Sequence, residues 1–137
     1  LALSSPAGNA EEGLLTLADI MGLKLDADWV VLSACNTAAG DGAGAEAISG
    51  LGRGFFYAGS RALLVTHWPV ETRSARQLVT TLFERYTTQP ISRAEALRQA
   101  SLAVMEGTAQ DDGGKPLFSY AHPVFWAPYA LVGDGGR

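Results

Sequence analysis

Three side chains in this sequence are of types that attack carbonyls or move protons near neutral pH: the single cysteine, Cys35, and two histidines, His67 and His122. A thiol of ordinary pKa, about 8.5, is mostly protonated at pH 7, so it becomes a nucleophile only beside a group that removes the proton or stabilises the thiolate. Cys35 lies near the end of Trp29-Val-Val-Leu-Ser-Ala-Cys-Asn-Thr37, an apolar, β-branched run that stops at Gly-rich polar sequence. That pattern predicts a buried strand entering a loop. Open α/β sheets bind ligands outside the carboxyl ends of their strands, and loop residues there carry the chemistry. The competing reading makes Cys35 a small buried hydrophobe, the ordinary fate of an isolated cysteine.

His67 follows a second apolar run, Ala62-Leu-Leu-Val-Thr66, which Pro69 stops. If the two strands are parallel neighbours, Cys35 and His67 emerge at one edge, and an in-chain dyad is geometrically possible. The other readings of His67 are lining of a cleft, together with Trp68, and plain packing. His122 sits in Tyr120-Ala-His-Pro123; its ring is expected to bond backbone at the entrance to the last strand, as a buried polar group must. Tyr120, Phe125, Trp126 and Tyr129 read as packing residues. Asp41 and Glu46 flank the cysteine loop and either bind a basic group or face solvent, while Arg53 is expected to pair with an acid.

The elements that would position these residues are legible from periodicity. Thr16 is placed to cap a short helix carrying Leu17, Ile20 and Met21 inward, with Gly22 closing it. Ala45 to Ala58 has Ile48, Leu51, Phe55 and Phe56 at helical spacing, and its Gly50, Gly52 and Gly54 imply close packing against a sheet despite their low helix propensity. Glu71 to Thr87 predicts a helix with Ala75, Leu78, Val79, Leu82 and Phe83 inward. A second helix, Ser92 to Gly107, opens on the capping box Ser92-Arg-Ala-Glu95 and turns Ala96, Leu97, Ala100, Ala103 and Val104 inward. Gln110 to Lys115 reads as a polar loop, and Pro123 to Val132 as a final apolar segment leading to the last strand and ending at Gly133. Strand, helix, strand, paired helices, strand is the order of a layered α/β fold with right-handed crossovers.

Composition narrows the function. The chain has 137 residues, 47% of them hydrophobic, enough for one domain or part of one. A net charge of -4 leaves no basic stripe for nucleic acid. No apolar run is long enough to span a bilayer and nothing resembles a signal peptide, so a cytoplasmic protein is expected. One cysteine forbids an intrachain disulfide, and no zinc-ligand spacing is present, so no metal or cofactor is expected. Neither a phosphate-binding glycine loop nor a Gly-x-Ser-x-Gly elbow occurs. Leu1 is not methionine, and the apolar Leu1-Ala-Leu-Ser4 looks like the tail of a strand, as in a piece of a longer protein.

Five blocks, in order, carry a resemblance: Val30-Val-Leu-Ser-Ala-Cys-Asn-Thr37 with its Gly-rich sequel; Gly50, Leu51, Arg53 and Phe55; Ala62-Leu-Leu-Val-Thr-His-Trp-Pro-Val70; Glu95-Ala-Leu-Arg-Gln-Ala100; and Tyr120-Ala-His-Pro-Val-Phe-Trp-Ala127. Together they resemble the CHAT domain, a caspase/separase-like peptidase family often found beside tetratricopeptide repeats in bacteria. The resemblance implies an α/β, caspase-like three-layer fold with a mostly parallel sheet, its N-terminal strands missing from this chain. It implies a His/Cys dyad on neighbouring parallel strands, with Cys35 the nucleophile and the histidine, in a His-Gly pair, preceding Leu1. On that reading Asn36, Thr37, Asp41, Glu46, His67 and Trp68 are candidate substrate-binding residues for a protein or peptide substrate. Ser33 takes the place where basic-specific relatives of the wider clan carry an acid, so specificity stays open. The alternative is a CHAT-like module without catalysis, serving protein interaction or signalling. A tetratricopeptide repeat region is the implied partner in the parent chain, and a sheet edge exposed by the missing strands makes a homodimer the expected self-association.

Overall fold

The computed structural model describes residues 15–32 and 44–136, with side chains from residue 50 onward in the second span. The elements are α1 (Leu17–Gly22), β1 (Val30–Leu32), α2 (Gly44–Tyr57), β2 (Ala62–Thr66), α3 (Thr72–Thr88), α4 (Arg93–Met105), β3 (Thr108–Gln110), β4 (Pro116–Ser119), a 3-10 turn (Pro123–Phe125) and β5 (Tyr129–Gly133). Helices and strands mix as an α/β chain requires.

β2 is central and buried along its whole length, with β1 parallel on one side and β5 antiparallel on the other. Among the described residues the sheet therefore holds one parallel and one antiparallel pair. Its alternation decides what each face meets. Val30, Leu32, Leu63, Val65 and Ala130 join Ile20, Leu51, Phe55 and Phe56 in one core, under α1 and α2. Val31, Leu64 and Tyr129 join Leu78, Leu82, Ala96, Ala100 and Val104 in the other, under α3 and α4. The register keeps the faces apart, since Val30 pairs with Leu63, Val31 with Leu64 and Leu32 with Val65. A one-residue slip would exchange the two cores.

Local chemistry ends the helices largely where the sequence predicts. Thr16 caps α1 through a reciprocal pair with Asp19, but only Ile20 of that helix is buried. Leu17 and Met21 remain 43% and 44% exposed, against expectation. The helix closes on Leu23 in extended backbone, not on Gly22. Of Gly50, Gly52 and Gly54 in α2, two admit close neighbours. A Cβ on Gly52 would lie 3.4 Å from Leu63 of the sheet, and one on Gly54 would lie 2.7 Å from Leu17 of α1.

Ser92 Oγ accepts from Glu95 N at 3.1 Å, half of the expected box. The Glu95 carboxylate turns instead to Arg98 Nε and Nη2, both at 2.7 Å, and to Gln99. A bidentate, charge-assisted pair outcompetes one neutral backbone donor. The stretch read as a loop from Gln110 is the tip of the β3–β4 hairpin, where Asp111 Oδ1 accepts from Gly113 N and Lys115 N, each at 2.9 Å.

Candidate active site

Because β1 and β2 are parallel and in register, their carboxyl ends share one sheet edge. Leu32 stands opposite Val65; Cys35 follows the first by three residues, and His67 the second by two. Cys35, Asn36, Thr37 and Asp41 lie outside the described residues, and Glu46 belongs to α2 without a described side chain. The described part of the edge is the β2 end and what holds it.

Thr66 is buried and His67 is exposed, so the transition from core to surface takes one residue. His67 N donates to the Pro128 carbonyl at 2.9 Å. Trp68, half-buried, donates from Nε1 to the Val124 carbonyl at 3.1 Å. Two successive residues are thereby fastened to the segment from the 3-10 turn to the start of β5, leaving the imidazole of His67 without a hydrogen bond among the described residues. Sequence reasoning missed this fastening. Its signal lies in Pro123 and Pro128, which interrupt regular backbone pairing in this segment, so that carbonyls such as those of Val124 and Pro128 are available as acceptors.

His122 holds that segment from the other side. Its Nδ1 accepts from Val124 N at 3.2 Å and caps the 3-10 turn, so the ring does bond backbone, one element earlier than the strand entrance. Trp126 Nε1 donates to the Ala121 carbonyl at 3.3 Å. Phe125 packs with Tyr120 and Phe118 at centroid distances of 5.1 and 5.5 Å. These aromatics are packing residues, as their sequence setting predicts. Arg53 is exposed and makes no ion pair among the described residues; Asp41 and Glu46, the acids of the cysteine loop with which it could pair, have no described side chains.

Two ionisable groups flank the edge. Tyr129, paired with Thr66, is buried and its hydroxyl has no hydrogen-bond partner among the described residues; burial pushes its pKa up to about 12, so it is a neutral phenol at any physiological pH. Glu71 lies four residues beyond His67 and caps α3, accepting from Ser74 N at 2.7 Å and Arg73 N at 3.0 Å. Desolvation works to raise its pKa, but those backbone donors outweigh it and hold the carboxyl below its usual range. Burial first, then the Glu71 charge and the hydrogen bond to it, raise the Tyr120 phenol. Neither group is set up to take a proton from a thiol at neutral pH. No cluster of metal-ligating side chains occurs among the described residues, and none of their helices is long and apolar enough to cross a membrane.

The model of the CHAT domain family matches residues 1–134. The chain belongs to the CHAT domain family. Its relatives include tetratricopeptide repeat protein 28 of mouse, 30% identical over 123 residues, and the human protein of the same name, 27% identical over 124. Each alignment covers 90% of this chain and 4% of the relative, so this CHAT domain spans a small fraction of the curated relatives it matches. These mouse and human relatives bear out the association with tetratricopeptide repeats. No solved structure matches the chain. Membership places it in a family related to the caspase-like peptidases.

Proposed function

We propose that this CHAT domain is part of a cysteine endopeptidase with a caspase-like layered fold, in which Cys35 is the nucleophile. The observation that carries the reading is the parallel, in-register pairing of β1 and β2. It brings together the edge after which the Cys35 block and the His67-Trp68 block both follow in sequence. A base removes the thiol proton, the sulfur attacks a peptide carbonyl, and the base returns the proton to the leaving amine; water then hydrolyses the thioester. Backbone amides at the strand end would hold the oxyanion, a contribution of roughly 3 to 4 kcal/mol per donor. The base is the family's histidine, outside residues 1–137, and His67 and Trp68 line the substrate cleft with Asn36, Thr37, Asp41 and Glu46. A peptide substrate and a tetratricopeptide repeat region in the parent chain are the partners of this reading.

In the full-length protein, Cys35→Ala should abolish peptide cleavage and leave the thermal unfolding profile unchanged, while His67→Ala should raise KM and retain most of kcat. Loss of kcat in His67→Ala equal to that in Cys35→Ala would instead make His67 the base. A docking module without catalysis is the second reading, favoured by the exposed Leu117, Phe118 and Val124 (56%, 44% and 43%) beside the edge-holding segment. Absence of cleavage by the unaltered protein would select it, whereas full cleavage by Cys35→Ala would remove Cys35 as the nucleophile.

A further inference from the structure

We propose that the flank of α3 is a docking groove for an acidic, extended peptide segment, an inference that takes from the peptidase reading only the purpose of the bound segment. An open groove of about 440 Å³ is lined by Arg73, Arg76, Gln77, Thr80 and Thr81. Their spacing is that of one helix stripe, running beside the apolar stripe that builds the core. From Thr72 to Phe83 the helix carries two arginines and no carboxylate, in a chain whose net charge is -4.

Arg73 and Gln77 are anchored to the protein, and the donors of Arg76, Thr80 and Thr81 have no partner among the described residues. Arg73 Nη1 donates to the Gln110 carbonyl, and its Nη2 lies 3.8 Å from the fully exposed Asp112 carboxylate, which fixes its position with little neutralisation. Arg76 makes no ion pair among the described residues. Gln77 Nε2 is anchored to the Ala103 carbonyl at 3.3 Å, tying the groove to α4. Thr87 and Thr88, on the same helix, spend their hydroxyls on carbonyls three and four residues back, whereas Thr80 and Thr81 make no such bond among the described residues. Two guanidinium groups and two hydroxyls along one face are a donor-rich ladder for carboxylates.

Size and position suit a peptide. From residue 73 to 81 the stripe runs about 12 Å, the length of three to four extended residues at about 3.3 Å each. Glu84, one turn further, ends the cationic stretch with the opposite sign. α3 begins five residues after His67, so the groove leads away from the sheet edge at which the scissile bond is proposed to lie. A substrate with acidic residues several positions from that bond would occupy both.

The test is a titration of the full-length protein, carrying Cys35→Ala so that nothing is cleaved, with a fluorescein-labelled hexapeptide of alternating Glu and Ala. The same peptide with Gln for Glu is the reference. Expected are binding of the Glu peptide at least about tenfold tighter than the Gln peptide, and a loss of about tenfold in Arg76→Gln. Arg85→Gln, which removes the same charge from the same helix outside the groove, should leave binding unchanged. Equal binding of the two peptides, equal losses in the two arginine variants, or tighter retention of an oligothymidine than of the Glu peptide would overturn the proposal. Absence of any cleavage by the unaltered protein defeats the peptidase reading alone, because the titration needs no turnover.

Discussion

At the scale of single residues, the largest fully buried side chain among the described residues is a charged one. Arg93 is 1% exposed, and its guanidinium donates at 3.1 Å to Asp28 and to Asp134, and at 3.2 Å to the Gly136 carbonyl. Asp28 and Asp134 keep 58% and 54% of their side chains exposed, so the pair is lopsided. Removing the carboxylates strands a buried cation; removing the arginine leaves two carboxylates that water can solvate. Asp28→Asn with Asp134→Asn should therefore cost about 3 kcal/mol or more, and Arg93→Met distinctly less, by urea unfolding. Two glycines give opposite signs in the same assay. Gly59 has φ +102°, and a Cβ there would collide with the Leu25 carbonyl, so Gly59→Ala should destabilise by about 2 kcal/mol or more. Gly50 lies within α2 with nothing within 4 Å of a Cβ, and Gly50→Ala should stabilise by about 0.5 to 1 kcal/mol.

At the scale of elements, α3 is positioned by its cap. Glu71 accepts two backbone donors of the first turn, and because its folded pKa lies below the ordinary 4.5, its contribution is present above that value. It is lost as pH falls through the folded pKa. Glu71→Ala should cost about 1 kcal/mol at pH 7, and thermal melts of variant and parent should converge as the pH is lowered below 4.5. The elements most legible in the sequence were those with both period and punctuation. Ala62–Thr66 and the two helices after it emerge within a residue or two of expectation, because apolar spacing, Pro69 and Ser92 all agree. The β3–β4 hairpin was hidden because its strands are short and β4 is exposed along its length, so no alternation marks it. The direction of β5 was likewise not readable: an apolar run declares that it is buried, and only its partner decides whether it runs parallel or antiparallel.

At the scale of the whole molecule, the two strands that lead to the candidate site were legible because strands announce themselves, while the Cys35 block itself lies outside the described residues. What holds the second block was not legible, since Trp68 and Val124 are 56 residues apart in sequence and nothing local records the contact. The same topology makes a prediction about association. The chain beyond β5 is tied to the start of α4, where the Gly135 and Gly136 carbonyls accept from Ala94 N and Arg93 N at 3.1 and 3.0 Å. On the other side of the sheet, β1 pairs with β2 alone among the described residues, and its three residues are half-buried, so it carries apolar side chains beside a row of backbone donors and acceptors. Such an edge templates pairing with another strand, and a two-fold arrangement closes on itself without growing further. The 137-residue chain is therefore expected to sediment as a dimer at micromolar concentration. Adding charge at the edge, as Val31→Lys, would be confounded because Val31 packs into the core beneath α3 and α4. Dilution is the cleaner probe: a mass by light scattering that falls from dimer to monomer as concentration drops supports edge pairing. A monodisperse monomer at every concentration would mean that residues of the same chain cover β1.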